Sequence, residues 1–388
     1  MIKLLSKIFI KNREDLSSPE VRRQYGVLCG GVGIFLNIVL FALKLFVGIL
    51  TGSVAVTADA VNNISDAGSS LVTMIGFRLA GKKPDPEHPF GHGRIEYISG
   101  LIVAMLIFVM GFELLTSSFN AVTNPEATEL NTVALIILIF SVFVKLYMFF
   151  YNRACGKKIN SAAMKATASD SLGDASATTA VLVSLIVSNM TGWLIDGYMG
   201  ILVALFILLA GYRAAKETIE PLLGLRPERE LINELEKTVL SYEPIEGVHD
   251  VILHDYGPGR RFLSLHAEVP MDCDILFVHD VIDNIEIEIF NNFGIETVIH
   301  MDPINTKDER INRIKAEVTR LLDELDEGMK SHDFRIVPGN THTNVLFDIV
   351  IPADSKTDTD ALKLAVSTAI TAIDPIYRCV IKIDRDYA

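Results

Sequence analysis

The 388-residue sequence has few cysteines and few charged residues, and each of these two features excludes some classes of protein. Its four cysteines are widely spaced and form no CxxC pair: Cys29, Cys155, Cys273 and Cys379. This pattern disfavours a disulfide framework and a cysteine-based zinc site, and it is compatible with a reducing compartment. Charged residues make up only 21% of the chain, whereas hydrophobic residues make up 50%. This balance excludes a disordered chain, and it is too apolar for a single soluble domain.

Charge is unevenly distributed along the chain. Residues 1–217 carry a formal balance of +3 and residues 218–388 carry −16, which together give the net charge of −13. The chain therefore contains two physically different parts. The acidity of the second part argues against nucleic acid and anionic lipid as partners, because both are bound through basic patches.

Six apolar stretches fill the first part, at residues 27–51, 54–80, 95–120, 130–152, 161–189 and 193–216. Each is near or above the ~20 residues that a helix needs to cross ~30 Å of hydrocarbon. The first stretch is too long for a cleaved signal peptide. The sequence therefore predicts a membrane all-α six-helix transmembrane bundle over residues 27–217, preceded by an N-terminal tail over residues 1–26.

Lysine and arginine are missing from three of the predicted loops, at residues 51–53, 121–129 and 190–192. They are concentrated in the N-terminal tail and in the second-to-third and fourth-to-fifth loops. Because cytoplasmic loops carry the excess of basic residues, both termini are predicted to be cytoplasmic. We expect a multi-pass protein of the cytoplasmic membrane, surrounded by the lipid bilayer.

Two of the predicted membrane helices carry polar residues in pairs. Asn62 and Asp66 are four residues apart on the second helix, as are Asp170 and Asp174 on the fifth. This spacing places each pair on one helix face. Charges at membrane depth are costly and are usually functional. The two faces together would offer a divalent cation four oxygen ligands. Hydrogen bonding between helices is the alternative, but it leaves the mutual repulsion of three carboxylates unexplained.

Other charges in the predicted membrane helices have no clear role in the sequence. Asp59 lies one further turn along the face of Asn62 and Asp66, and it fits either an entrance ligand or a structural group. Lys44, Glu113 and Lys145 are further charges at membrane depth. The two lysines fit either extension toward the interface or ion pairing.

The loop after the second helix contains Asp85, His88 and His92 in the segment PDPEHPFGHGRIEY. One carboxylate and two imidazoles at this spacing form a plausible set of transition-metal ligands. The alternative is a turn stiffened by proline and glycine, with solvated histidines.

Five motifs carry a family resemblance. They are ADAVNNISD on the second helix, HPFGHGRIE in the following loop, SDSLGD on the fifth helix, and GVHDV and VIHMDP in the second part. With these motifs the sequence resembles the cation diffusion facilitator family over residues 15–305. The resemblance implies a homodimer that exports divalent cations from the cytoplasm in exchange for protons. It also implies a cytoplasmic ferredoxin-like domain that binds metal and supports dimerisation.

The resemblance also implies three metal sites. The transport site falls on Asn62, Asp66, Asp170 and Asp174, and the loop site falls on Asp85, His88 and His92. Zinc-type members usually place a histidine at the position of Asp170, so this sequence resembles the manganese-type branch. Oxygen-only sites also suit Mn2+, whereas imidazole favours zinc, cobalt and nickel. The cytoplasmic site, for Zn2+ or Mn2+, falls on His249, His266, His279, His300 and Asp302.

The second part is predicted to contain one α/β domain twice. A helix, two strands, a helix and a strand are predicted in the metal-binding domain at residues 218–305, and residues 306–388 repeat this order. Pro270 and Pro352 are 82 residues apart, as are Asp302 and Asp384. A fixed offset favours duplication. At this offset the histidines at 266, 279 and 300 become Asp348, Ala361 and Lys382, so the second ferredoxin-like copy is expected to be degenerate and to lack the metal histidines. His332 and His342 fit either solvated side chains, which lone histidines usually are, or metal ligands.

The sequence therefore predicts a proton-coupled exporter of divalent cations, most specifically of Mn2+, and not an enzyme. An exporter of Fe(II), Zn(II) or Co(II) from the same family is the alternative. A membrane-anchored metal sensor is a different class, and carboxylates at membrane depth argue against it. A passive channel is distinguished from an exporter by uptake against a gradient.

Overall fold

The structure is a computed structural model, and its two units follow the division seen in the sequence. One unit is built mainly from residues 1–225 and the other mainly from residues 226–388. The residues described are 2–10, 19–51, 54–124, 132–191, 193, 195–326 and 328–386.

The secondary structure described in residues 1–225 is helical. The helices are α1 (Ile2–Phe9), α2 (Pro19–Thr51), α3 (Val54–Ala80), α4 (Ile95–Thr123), α5 (Thr132–Lys158), α6 (Ala162–Thr191) and α7 (Asp196–Leu223). Helices α2 to α7 correspond to the six predicted apolar stretches, whereas the short helix α1 lies in the predicted tail and was not anticipated. Among the described residues, four helices are long and apolar enough to cross a membrane. Helices α3 and α6 are not among these four. Both carry the polar pairs, which lower their hydropathy, so the number of six spans stays a prediction.

Small residues and buried hydroxyls hold α3 against its neighbours. A methyl group added to Gly33 of α2 would lie 2.7 Å from the Ser70 hydroxyl of α3, so glycine at this position lets the two helices approach closely. On another side of α3, the hydroxyls of Thr73 and Thr167 are 2.8 Å apart and link α3 to α6. The hydroxyl contact thus links α3 and α6, the two helices that carry the polar pairs.

The second unit begins with an α/β domain that contains α8 (Arg229–Leu240), β1 (Gly247–Asp255), β2 (Arg261–Pro270), α9 (Ile275–Phe293) and β3 (Ile295–Ile304). The sheet has the order β1-β2-β3, and β2 and β3 are parallel. Leu235, Leu265 and Ile285 are fully buried where the helices cover the sheet. Helix α9 starts at its cap Asp274, whose carboxylate accepts hydrogen bonds from two backbone N–H groups.

The same element order then recurs in α10 (Glu309–Leu325), β4 (Lys330–Pro338), β5 (Thr343–Pro352), α11 (Thr359–Ile373) and β6 (Tyr377–Asp386). The parallel ladder of β5 with β6 matches that of β2 with β3, and every partner is displaced by 82 residues. This copy has its own buried core, which includes Val318, Phe347 and Val366. The predicted fold class of membrane helices followed by α/β domains is confirmed, and the exact domain boundaries stay predictions.

Candidate metal sites

The carboxylates of the polar pairs meet between α3 and α6. One oxygen from each of Asp66, Asp170 and Asp174 lies within 4.8 Å of the others. Asp66 and Asp170 are only 4% and 5% exposed, and Asp174 is half-buried. Asn62 lies one turn before Asp66 on α3 and is exposed, and its part in the site stays a prediction.

A lysine and an asparagine complete this cluster. The Lys145 ammonium of α5 donates hydrogen bonds to Asp66 Oδ2 at 2.6 Å and to Asp174 Oδ2 at 2.7 Å. It also donates to Asn37 Oδ1 of α2 at 3.0 Å. Lys145 is 2% exposed, so a buried positive charge lies directly between two of the acidic side chains. The sequence identifies Lys145 as a charge at membrane depth but does not indicate which residues it contacts. It gives no indication that Asn37 belongs to the cluster.

The predicted loop residues are brought together between α3 and α4. His88 Nδ1 lies 3.2 Å from Asp85 Oδ1, and His92 Nε2 lies 3.4 Å from Asp85 Oδ2. The backbone N–H of His88 also donates to Asp85 Oδ1 at 2.7 Å, and this bond lowers the pKa of the Asp85 carboxyl group. The loop therefore holds an ionised carboxylate beside two imidazoles.

Three of the four predicted cytoplasmic histidines surround the fifth predicted residue, Asp302 of β3. His266 Nδ1 lies 2.8 Å from Asp302 Oδ2, and His249 Nε2 lies 3.2 Å from the same oxygen. His300 Nε2 lies 3.4 Å from Asp302 Oδ1. His266 and His300 are register partners in the β2–β3 ladder, so the sheet itself places them side by side.

The fourth predicted histidine, His279, lies elsewhere. It is exposed on α9, and its Nδ1 is 3.4 Å from the carboxylate of Asp283 one turn later. The metal-ligand group found around Asp302 among the described residues consists of His249, His266 and Asp302 and includes neither His279 nor His300. The roles of His279 and His300 as ligands stay predictions.

The second copy replaces the histidine cluster with an ion pair. Asp348 and Lys382 are register partners, as His266 and His300 are in the first copy. Lys382 Nζ lies 3.6 Å from Asp348 Oδ2 and 2.7 Å from Asp384 Oδ2. The nearby Asp384 carboxylate raises the pKa of the Lys382 ammonium. A fixed positive charge therefore stands where the first copy carries imidazoles.

His332 of β4 is not solvated, because it is only 9% exposed. Burial and the neighbouring His249 lower the pKa of the His332 imidazole, which favours its neutral form. The alternative of a solvated His332 was wrong, because the sequence pattern of β4 does not reveal what covers its inner face.

Clusters of carboxylates and imidazoles on a helical unit followed by α/β domains define the class: a multi-pass membrane protein that handles metal cations. Comparison with known families agrees with this class. Residues 32–223 match the cation efflux transmembrane domain, and residues 227–304 match the cytoplasmic domain of cation efflux proteins. The chain belongs to the cation diffusion facilitator family. It is therefore a divalent cation exporter and a transporter rather than an enzyme, and its cytoplasmic domain is of the dimer-forming type.

The chain is similar to several known transporters over most of their length. It is 31% identical to an uncharacterised transporter of Methanocaldococcus jannaschii, over 63% of this chain and 86% of the relative. It is 27% identical to the manganese efflux system protein MneS of Bacillus subtilis, over 71% and 95%. It is also 27% identical to the cation-efflux pump FieF of Klebsiella pneumoniae, over 68% and 88%. The second α/β copy lies beyond the residues matched by the two family models.

Proposed function

We propose that this protein exports Mn2+ from the cytoplasm across the cytoplasmic membrane in exchange for protons. Its transport site would consist of Asn62, Asp66, Asp170 and Asp174. The observation that carries the proposal is the meeting of three carboxylates from two helices, with an oxygen of each within 4.8 Å of the others. Oxygen ligands suit Mn2+, whereas a site selective for zinc gains from imidazole. The name of the similar MneS protein supports the same metal.

In this proposal Lys145 is a tethered cation that occupies the site when metal is not bound. Three negative charges brought together in a medium of low polarity repel one another unless a positive charge compensates them. The Lys145 ammonium supplies that charge through its short contacts with Asp66 and Asp174. Incoming Mn2+ therefore has to displace the ammonium from both carboxylates. On the opposite side of the membrane, protons would displace Mn2+, because metal binds only the ionised carboxylates.

The loop and cytoplasmic clusters would bind metal without transporting it. Both combine carboxylate with imidazole, so their preference among metals differs from that of the oxygen-only cluster. We propose that the cytoplasmic site around Asp302 takes Zn2+ or Mn2+ in a homodimer with both termini in the cytoplasm. A sensor that does not transport would need only these clusters, and the buried carboxylates between α3 and α6 favour transport over that alternative.

The transport site is tested by Asp174→Ala. This change removes one carboxylate of the cluster, and we expect it to abolish Mn2+ uptake into everted membrane vesicles. Glu217→Ala is a matched control, because Glu217 is an exposed carboxylate on α7 of the same unit and should leave uptake intact. Size-exclusion chromatography checks that both variants remain folded dimers. Mn2+ uptake by Asp174→Ala at the parent rate would disprove the assignment.

A further inference from the structure

The first strands of the two α/β copies share a histidine followed by an aspartate. His249 and Asp250 occupy the third and fourth positions of β1, and His332 and Asp333 occupy the same positions of β4. These pairs are 83 residues apart, not 82, because the turn at 339–342 is one residue shorter than the turn at 256–260. A uniform offset of 82 aligns His249 with Ser331 and conceals the equivalence. The second copy therefore retains one of the histidines that it was expected to have lost.

The backbone has the same unusual conformation at both places. Asp250 has a φ of +49° and Asp333 has a φ of +56°, both in the left-handed region. Residues with a side chain seldom adopt this region, and Asp and Asn are the ones that tolerate it best. In β4 this residue lies within a register shift between His332 and Arg335. The kink is thus a shared feature of the two copies and gives each histidine an equivalent setting.

The fold brings these two histidines together at the junction of the copies. Their ring centroids are 4.0 Å apart, with an interplanar angle of 25°. Each residue is 9% exposed. Within the part of the chain that the structure describes, neither nitrogen of either ring makes a hydrogen bond, and the 3.2 Å approach of His249 Nε2 to Asp302 Oδ2 lacks hydrogen-bond geometry. Buried polar atoms are normally satisfied, and an unsatisfied nitrogen pair of this kind calls for an explanation such as a bound ion.

A carboxylate lies beside both rings. Asp250 Oδ2 is 3.7 Å from His249 Nδ1, and Asp250 Oδ1 is 4.0 Å from His332 Nε2. These separations are too long for hydrogen bonds. They are close to the spacing of neighbouring ligands around a tetrahedral cation, which is about 3.4 Å for bonds of about 2.1 Å. One ligand atom from each of the three residues lies within 4.8 Å of the others.

This group differs from the cluster around Asp302. The Nε2 atom of His249 faces Asp302, whereas its Nδ1 atom faces Asp250. His249 therefore stands between two sets of ligands, one within the first copy and one shared with the second. Because a neutral imidazole ligates through one nitrogen only, His249 serves one set at a time, or both after losing its remaining N–H proton. We propose that His332 of the second copy forms a metal site with His249 and Asp250, and that this site binds a divalent cation of the imidazole-preferring class, such as Zn2+. Metal bound there joins the two copies through ligands from each.

The proposal is tested by Zn2+ titration of the purified full-length protein against a competing chelator, with the bound metal counted by elemental analysis. His332→Phe retains an aromatic ring for stacking but has no ligating nitrogen. Asp250→Asn retains a side chain that tolerates the left-handed backbone and removes the carboxylate charge. Loss of even an outer-shell partner of a metal ligand costs about 10- to 100-fold in affinity. We therefore expect each variant to lose one bound Zn2+ or to bind it at least about tenfold more weakly.

His342→Phe is the matched control, because it removes a histidine of the same copy whose ring contacts the hydroxyl of Thr341 instead of this group. It should bind Zn2+ like the parent protein. Unchanged zinc stoichiometry and affinity in both His332→Phe and Asp250→Asn would overturn the proposal and leave the ring stack as packing alone. The readout is metal binding and not transport, so its outcome is separate from that of the Asp174→Ala uptake experiment.

Discussion

Replacing Lys145 with methionine tests whether a tethered cation competes with the transported metal. The change keeps a long unbranched side chain and removes the ammonium, which lies 2.6 Å from Asp66 and 2.7 Å from Asp174. Removing one partner of a buried ion pair costs about 3–5 kcal/mol, because a charge is left without compensation. That cost falls on the metal-free state. The metal-bound state is spared, because Mn2+ itself compensates the carboxylates.

The expected consequence is tighter Mn2+ binding. Protons bound to the carboxylates would compensate part of this cost, so that the metal-free state is destabilised by roughly 1.4–3 kcal/mol relative to the Mn2+-bound state. Since 1.4 kcal/mol is a factor of ten, the Kd for Mn2+ should fall about 10- to 100-fold. Protons replace the ammonium as competitors in Lys145→Met, so the gain should be larger at pH 8 than at pH 6. Tighter binding should also slow release and therefore lower the turnover of transport.

The assay is Mn2+ binding to purified protein at pH 6, 7 and 8, followed by uptake into proteoliposomes. Lys165→Met is the matched control, because Lys165 is a partly exposed lysine of α6 that lies 4.0 Å from Glu217 and outside the carboxylate cluster. It should leave Mn2+ affinity unchanged. A Lys145→Met protein that is folded and binds Mn2+ no more tightly than the parent at pH 8 would refute the reasoning.

Two further predictions concern selectivity and folding. Asp170→His introduces an imidazole, which favours zinc, into the oxygen-only cluster. A preference of ~1.4 kcal/mol for zinc would raise the Zn2+ to Mn2+ uptake ratio about tenfold in a competition assay. An unchanged ratio would contradict the role of Asp170. Phe347→Ala removes a ring that is 1% exposed and stacked on Phe334, so chemical denaturation of the full-length protein should show a loss of about 3–5 kcal/mol in the unfolding free energy of the second copy. Phe290→Ala, at an exposed position of α9, should change the unfolding free energy by less than about 0.5 kcal/mol, and an equal loss in both variants would argue against a separate core.

Much of the fold could be predicted because its signals are local. The length of the apolar stretches predicted the positions of the long helices, and helix α3 (Val54–Ala80) has the predicted bounds of 54–80. The spacing of four residues indicated that Asp170 and Asp174 share one helix face. The 82-residue offset anticipated the matching ladders of the two sheets. Each of these inferences depends only on residues within one element or on a comparison between repeated segments.

The missed features depend on contacts between elements. A lysine on α5 gives no sign in the sequence of which carboxylates it will reach, so the pairing of Lys145 with Asp66 could not be predicted. Asn37 was missed for the same reason. A polar residue at membrane depth was the available signal for both. The equivalence of His332 with His249 was missed because the turn between β4 and β5 is one residue shorter than the turn between β1 and β2, which shifts the alignment of the two copies.

The central claim is that the oxygen-only cluster exports manganese in exchange for protons. Its most direct test is metal-competition uptake into proteoliposomes that contain the purified protein and have an acidic lumen. The account predicts that Mn2+ accumulates in the lumen against its own gradient, that collapse of the pH gradient stops this accumulation, and that equimolar Zn2+ or Fe2+ does not displace it. Accumulation that ignores the pH gradient, or that Zn2+ or Fe2+ suppresses at equal concentration, would contradict the account.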